Sequence, residues 1–337
     1  MHPLLRSIGL VLAIVAAQVP SWPREAEHPD APKPPPASAA LRALVGEYGT
    51  ADMPVYVLEH GGTLWAIVGR GTPAPISPTS FTTVNAAAGP TRMLSLGGVT
   101  YPRRSVGPAD GGQLHITPVR PVAELLTEAM TQSPPKETGD FSPADLVELT
   151  TLDPTIHLDI RYATTNNFLG SVFYAEGRAF MQRPAAEAVV RASAVLKPLG
   201  YGLLVHDGYR PWYVTKTFWD ATPQDTKWLV ADPSKGSKHN RGCAVDITLY
   251  DLKTGAVIEM PSTYDESTPR AYAFYPGGTD LQRWHRALLR RVMEAEGFAV
   301  NPEEWWHFDH KDWQHYAIGN VAFDRIRRSK PTELFVE

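Results

Sequence analysis

Three separated segments of this chain carry residue types that can do chemistry together. Ser237-Lys238-His239-Asn240-Arg241-Gly242-Cys243-Ala244-Val245-Asp246 offers an imidazole and a carboxylate on either side of a glycine turn. Glu303-Glu304-Trp305-Trp306-His307-Phe308 offers a second imidazole walled by aromatic residues, with a carboxylate three positions before it. His206-Asp207-Gly208-Tyr209-Arg210-Pro211 sets a guanidinium between a short apolar run and a proline. Neutral imidazoles and carboxylates are good ligands for zinc, and three protein ligands plus a water is the open geometry of a hydrolytic site. His239, Asp246 and His307 are therefore the candidate ligands.

Asp246 shares a strand face with Ala244 and Thr248, so Cys243 falls on the opposite face and reads as a small buried apolar residue. A carboxylate near such a water is its natural general base, and Glu304 is the candidate. On a regular strand, positions i and i+3 point to opposite faces. Glu304 is therefore expected on the turn that begins at Asn301-Pro302, reaching back over the metal. Arg210 is expected on a sharp strand-to-helix turn, where a fixed guanidinium can meet the oxygen on which charge develops. Each residue also has a plainer reading. His239 and Asp246 can be a satisfied structural pair, Glu304 a surface acid at a strand end, and Arg210 an ordinary ion-pair partner of Asp207. His310 and His315 are rival ligands that read better as surface or supporting groups. His60, His115, His157 and His285 are isolated and read as structural.

The elements that must position these groups follow from hydrophobic period and turn chemistry. Residues 183–199 have helical apolar spacing, with Gly200 as a stop. Residues 202–206 and 244–250 read as strands, and 305–308 as a final one. Pro211 is expected at the first position of a helix running through Trp219, where its missing N–H costs nothing. Thr279 and Gln282 form a capping-box pattern before a long amphipathic helix ending near Gly297. Upstream, 55–59 and 63–68 flank His60-Gly61-Gly62, and 93–96 and 99–101 flank Gly97-Gly98, two hairpin signals. Residues 81–84 and 113–118 are expected to add short strands.

The expected fold class is α+β: an antiparallel sheet with helices packed around it, preceded by a small all-β domain. The expected division is a signal segment at 1–20, a Pro-rich linker at 21–38, a β-rich accessory domain at 39–119, a linker at 120–139 and a catalytic domain at 140–330. The 337 residues suit about two domains. With 43% hydrophobic and 20% charged residues the chain can build a real core. A net charge of −4 argues against a general nucleic-acid binder. The single cysteine excludes an intrachain disulfide and a Cys-rich zinc site. Residues 1–20 (MHPLLRSIGLVLAIVAAQVP) have one charge, Arg6, an apolar run and small residues at Ala16 and Ala17, the pattern of a secretory signal. The alternative is an uncleaved anchor. No cysteine follows the run, which argues against a lipoprotein anchor. The mature chain is expected outside the cytoplasm, in the periplasm or secreted, without a membrane span after cleavage.

Taken together, GYRP, then S-x-H-x-R-G-x-A-x-D, then E-W-W-H resembles the M15 zinc peptidases. Residues 156–170 (IHLDIRYATTNNFLG) and 260–265 (MPSTYD) are similar to segments of the D-alanyl-D-alanine dipeptidase branch, to which the vancomycin-resistance dipeptidase belongs. The resemblance covers about residues 145–325. It implies one Zn²⁺ per chain on His239, Asp246 and His307, with Glu304 as general base and Arg210 as the oxyanion group. It also implies that Ser237 contacts the substrate and Asp265 pairs with its ammonium. The implied activity is hydrolysis of D-Ala-D-Ala by a zinc-activated water. A D,D-carboxypeptidase or endopeptidase on longer peptidoglycan peptides is the alternative. The β-rich domain and the Pro-rich stretch have no place in that pattern, and a peptidoglycan contact through the β-rich domain is expected from them.

Overall fold

The computed structural model describes residues 32–86, 89–104 and 114–326. The signal segment and the first part of the Pro-rich linker lie outside the described residues. After the short helix α1 (Ala39–Arg42), two antiparallel sheets follow. One has β1 (Gly46–Gly49), β2 (Pro54–His60), β3 (Thr63–Val68) and β4 (Ala74–Ile76) in chain order; the other has β5 (Phe81–Ala86), β6 (Gly89–Leu96) and β7 (Val99–Pro102). Both hairpin signals lie where the glycine pairs place them. His60 pairs with Thr63, so the first turn is the two residues Gly61-Gly62, both at positive φ as a tight hairpin turn requires. Tyr48, Val55, Val57, Leu64, Ala66 and Leu94 close a small core between these sheets.

The second half holds a larger core and a five-stranded sheet. Its elements are α2 (Val122–Met130), β8 (Leu146–Glu148), α3 (Leu149–Leu152), β9 (His157–Leu158), β10 (Phe180–Gln182), α4 (Arg183–Leu196), β11 (Tyr201–Asp207), α5 (Trp212–Ala221), β12 (Ala244–Asp251), α6 (Asp280–Ala295), β13 (Phe298–Asn301) and β14 (Glu304–His310). The sheet order is β13-β14-β12-β11-β9, antiparallel except that the edge strand β9 runs parallel to β11. Helices α4 and α6 pack on each other and on this sheet. Thr279 and Gln282 form the full capping box of α6, and Gly200 ends the α4 turn in the left-handed region.

Four expectations need correction. Residues 114–118 form no strand; the Leu114 and Ile116 N–H groups bond to two separate loops, and Gln113 lies outside the described residues. Pro211 is the N-cap of α5 rather than its first residue, because its ψ of 141° is extended. The stretch 120–139 is not a bare linker: α2 buries Val122, Leu125 and Ala129 in the main core and packs on α5. That stripe has helical spacing and was legible. Glu304 is the first residue of β14 rather than part of the turn before it. Among the described residues no helix is long and apolar enough to cross a membrane.

The loop between β12 and α6 is gripped by the first N-terminal sheet, through β2 and β3. Tyr56, Leu58 and Ile67 pack with Tyr275, and Glu59 N–H donates to Gly278 O at 3.1 Å. At the other end of the sheet, buried Asp153 accepts from Ser193, Thr155 and Lys197. Burial raises its carboxyl, but these donors outweigh burial and lower it to about 2. A folded-state value below the ordinary one stabilises the fold above pH ~4, and the stabilisation is lost as pH falls toward 2. Asp153→Asn should therefore cost about 2 kcal/mol near pH 7. In urea unfolding the gap to the parent protein should shrink between pH 4 and 2; a gap independent of pH would contradict the assignment.

Candidate active site

The site is built on one cross-strand row. In the β12–β14 pairing Asp246 lies directly opposite His307, and in β11–β12 it lies opposite Asp207. Directly paired residues project to the same face. The pleat sends Asp246 away from Val245 and Ile247, which lie in the main core. His239 comes from a turn that ends at Gly242. Gly242 has φ +69°, and a Cβ there would lie 2.7 Å from Leu146 Cδ2, so only glycine turns the chain into β12 at this closeness. Arg210 N–H donates to His239 O, and the buried Asn240 amide donates to Arg210 O at 2.7 Å, tying the two loops together.

Three donor atoms converge. His307 Nδ1 lies 3.1 Å from Asp246 Oδ1, His239 Nε2 lies 3.4 Å from the same oxygen, and the two ring nitrogens are 3.2 Å apart. The far side of each ring is occupied. His239 Nδ1 is 2.8 Å from Gly208 O, a carbonyl that can only accept, so Nδ1 carries the proton and Nε2 turns its lone pair inward. His307 Nε2 is 2.9 Å from Asp309 Oδ1, and Lys238 holds Asp309 at 2.6 Å. Tyr264 Oη donates to Asp246 Oδ2 at 3.0 Å, leaving Oδ1 to the imidazoles.

Two lone pairs and a carboxylate oxygen packed this closely require a positive charge between them. Without an ion that charge is a proton. Although burial opposes it, Asp246 and Asp309 push the His307 imidazole well above its ordinary range. A divalent cation answers the same need with all three donors at once. Imidazole nitrogens backed by a carbonyl and a carboxylate are the usual outer support of zinc ligands. His239, Asp246 and His307 are also the group of metal-compatible residues that the geometry picks out among the described residues, their ligand atoms all within 4.8 Å. The donor set fits zinc.

Around this centre, Glu304 Oε2 lies 3.6 Å from His307 Nδ1 and accepts from Asn301 Nδ2 at 3.0 Å. The register of β13 against β14 slips between Val300 and Asn301. That irregularity turns Glu304 to the face of His307, which a regular strand would forbid. Burial lifts the Glu304 carboxyl, Asp246 adds to the rise, and His307 opposes it. Arg210 is buried and held by Asp207 Oδ2, with its Nε at 2.9 Å and Nη2 at 2.8 Å, and its guanidinium lies 5.0 Å from the ring centres of Tyr162 and Phe218. The ion pair with Asp207 read as the plainer alternative is thus present, and Arg210 still lines the cavity described next.

Arg210, Ser237, His239, Asp246, Asp265, Glu304 and His307 all line one cavity of about 610 Å³. Asp265 is held at φ +56°, and its Oδ2 is sealed from solvent without a hydrogen-bond partner. Ser237 Oγ accepts from His239 N–H at 3.2 Å. Cys243 is buried outside the donor cluster, its thiol pushed up to about 12 by burial. His310 is buried and caps the turn after β14 through Asp312 N–H, and His315 is exposed; neither joins the cluster. Sequence reading missed Asp309, Gly208 and Tyr264 as supports. Asp309 had a signal, since position i+2 from His307 shares its face. The other two had none, because a carbonyl and a phenol across the fold leave no local pattern.

The Peptidase_M15 family model, D-ala-D-ala dipeptidase, matches residues 142–323. A D-alanyl-D-alanine dipeptidase of Escherichia coli is 32% identical, with 49% of this chain aligned to 84% of that protein. One of Enterococcus faecalis is 34% identical over 47% of this chain and 88% of its own length, and one of Enterococcus faecium is 33% identical over 49% and 93%. The match spans more than half of the sequence and includes every residue of the cluster. The chain belongs to the peptidase M15 family and is a metallopeptidase.

Proposed function

We propose that this protein is a secreted, zinc-dependent D-alanyl-D-alanine dipeptidase. The observation that carries the reading is a single cavity holding an inward-facing His/Asp/His donor set, a carboxylate beside it, a buried guanidinium and a second carboxylate with an unsatisfied oxygen. The printed names of the relatives point to the same substrate. His239, Asp246 and His307 hold the ion. A zinc ion there supplies a Lewis acid that makes water nucleophilic near neutral pH.

The remaining work belongs to this chain's own side chains. Glu304 takes one proton from water as its oxygen adds to the scissile carbonyl carbon, and returns that proton to the amine nitrogen as the C–N bond breaks. Its position 3.6 Å from His307 Nδ1 sets the carboxylate beside the centre where that water would be held. Arg210 faces the oxygen that gains charge, and Asp207 keeps it in place without a reorganisation cost. Asp265 receives the free ammonium of the dipeptide, which gives Oδ2 the donor it lacks. Ser237 contacts the substrate from the cavity wall. The apolar segment at 1–20 supports export to the cell envelope, and residues 39–119 are the part that would touch peptidoglycan.

His239→Ala should lose bound zinc in metal analysis of the folded protein; a full complement of zinc would remove His239 from the ligand set. Glu304→Gln should keep its zinc and lose about 10²- to 10⁴-fold in turnover of D-Ala-D-Ala. Turnover at the parent rate would rule out the proton-transfer role. Assay of the free dipeptide against a pentapeptide stem separates the proposal from a D,D-carboxypeptidase or endopeptidase. The dipeptide should be cut and the stem spared, and cleavage of the stem alone would favour the alternative.

A further inference from the structure

The segment 114–118 lies before the family-matched residues, 142–323, yet it reaches the catalytic cavity. It is laced down by its backbone. Leu114 N–H donates to Asp265 O at 2.9 Å, Ile116 N–H to Phe168 O at 2.8 Å, and just beyond it Val119 N–H donates to Ala221 O at 2.9 Å. Ile116 is buried in the main core. The Leu114 side chain packs against that core and lines the cavity with Phe168 and Asp265.

The residue that Leu114 grips is unusual. Asp265 is the sole non-glycine residue at positive φ among the described residues. A side chain in this region is disfavoured, so the surrounding contacts must hold it there. Thr263 and Thr268 anchor the neighbouring Glu266 from one side, and the Leu114 N–H holds the Asp265 carbonyl from the other.

We propose that residues 114–118 form a specificity-determining strap that holds Asp265 in its left-handed conformation and walls off the amino end of the cleft, restricting turnover to peptides with a free amino terminus. This rests on the dipeptidase reading, because it places the substrate ammonium at Asp265. Leu114 has two separable parts. Its N–H positions Asp265, and its side chain is the wall that an acyl group on the substrate nitrogen would strike.

The test compares rates on D-Ala-D-Ala and N-acetyl-D-Ala-D-Ala for the full-length zinc protein and two variants. The parent should cleave the free dipeptide and reject the acetylated one. Leu114→Ala keeps the N–H and withdraws the wall, so the rate ratio of acetylated to free substrate should rise about tenfold. Leu114→Pro removes the N–H donor, so KM for the free dipeptide should rise about fivefold with kcat nearly unchanged. A merely structural segment would lower both substrates' rates by the same factor in Leu114→Ala, and that result overturns the strap. So does a parent enzyme that cuts both substrates equally. If Leu114→Pro fails to fold, the substrate ratio in Leu114→Ala decides alone. A parent enzyme that cleaves neither substrate overturns the dipeptidase reading and the strap with it, whereas a parent selective for the free dipeptide with an unchanged ratio in the variant overturns the strap only.

Discussion

Two imidazole lone pairs and a carboxylate oxygen are held face to face within 3.1–3.4 Å at the wall of a cavity, with His239 and Asp246 buried. Such an arrangement repels itself unless a positive charge sits among the donors. The rest of the catalytic half keeps it from relaxing. Gly208 O and the Asp309 carboxylate occupy the outer ring nitrogens, so neither imidazole can turn over without losing a buried hydrogen bond. Tyr264 fixes the carboxylate from a third direction. The cost of holding these donors together is carried by the sheet and core beneath them, and the charge they demand is the basis of the proposed chemistry.

The sheet sets much of the geometry through register. One row across β14, β12 and β11 lines up His307, Asp246 and Asp207, so two of the candidate ligands and the anchor of Arg210 share one face. Two irregularities complete the site. The slip between β13 and β14 brings Glu304 round to His307, and the shift near His206 sets Asp207 opposite Asp246. Regular strands would have put Glu304 on the wrong face. The first N-terminal sheet contributes at a distance: Tyr56, Leu58 and Ile67 brace Tyr275, in the loop that carries Tyr264 and Asp265. Residues outside the family-matched segment thus bear on the cavity from two directions.

Much of this was legible in the sequence, for identifiable reasons. Gly61-Gly62 and Gly97-Gly98 marked their hairpins because only glycine enters such turns freely. Thr279 and Gln282 marked the start of α6 because a reciprocal cap needs those two side chains at that spacing. His239, Asp246, His307, Glu304 and Arg210 stood out by motif, and they share one cavity. What stayed hidden was non-local. The bulge beside Glu304 depends on how β13 meets β14. The placement of 114–118 depends on loops at Asp265, Phe168 and Ala221, which no local pattern announces. Reading 120–139 as a linker followed its prolines and overlooked the stripe Val122, Leu125, Ala129.

The proposed chemistry requires a cation shared by His239, Asp246 and His307. The most direct measurement strips the purified protein with a strong chelator, confirms by elemental analysis that no metal remains, and follows D-Ala-D-Ala hydrolysis before and after zinc is returned. Activity should vanish with the metal and come back with about one zinc ion per chain. Undiminished hydrolysis by metal-free protein would contradict the account.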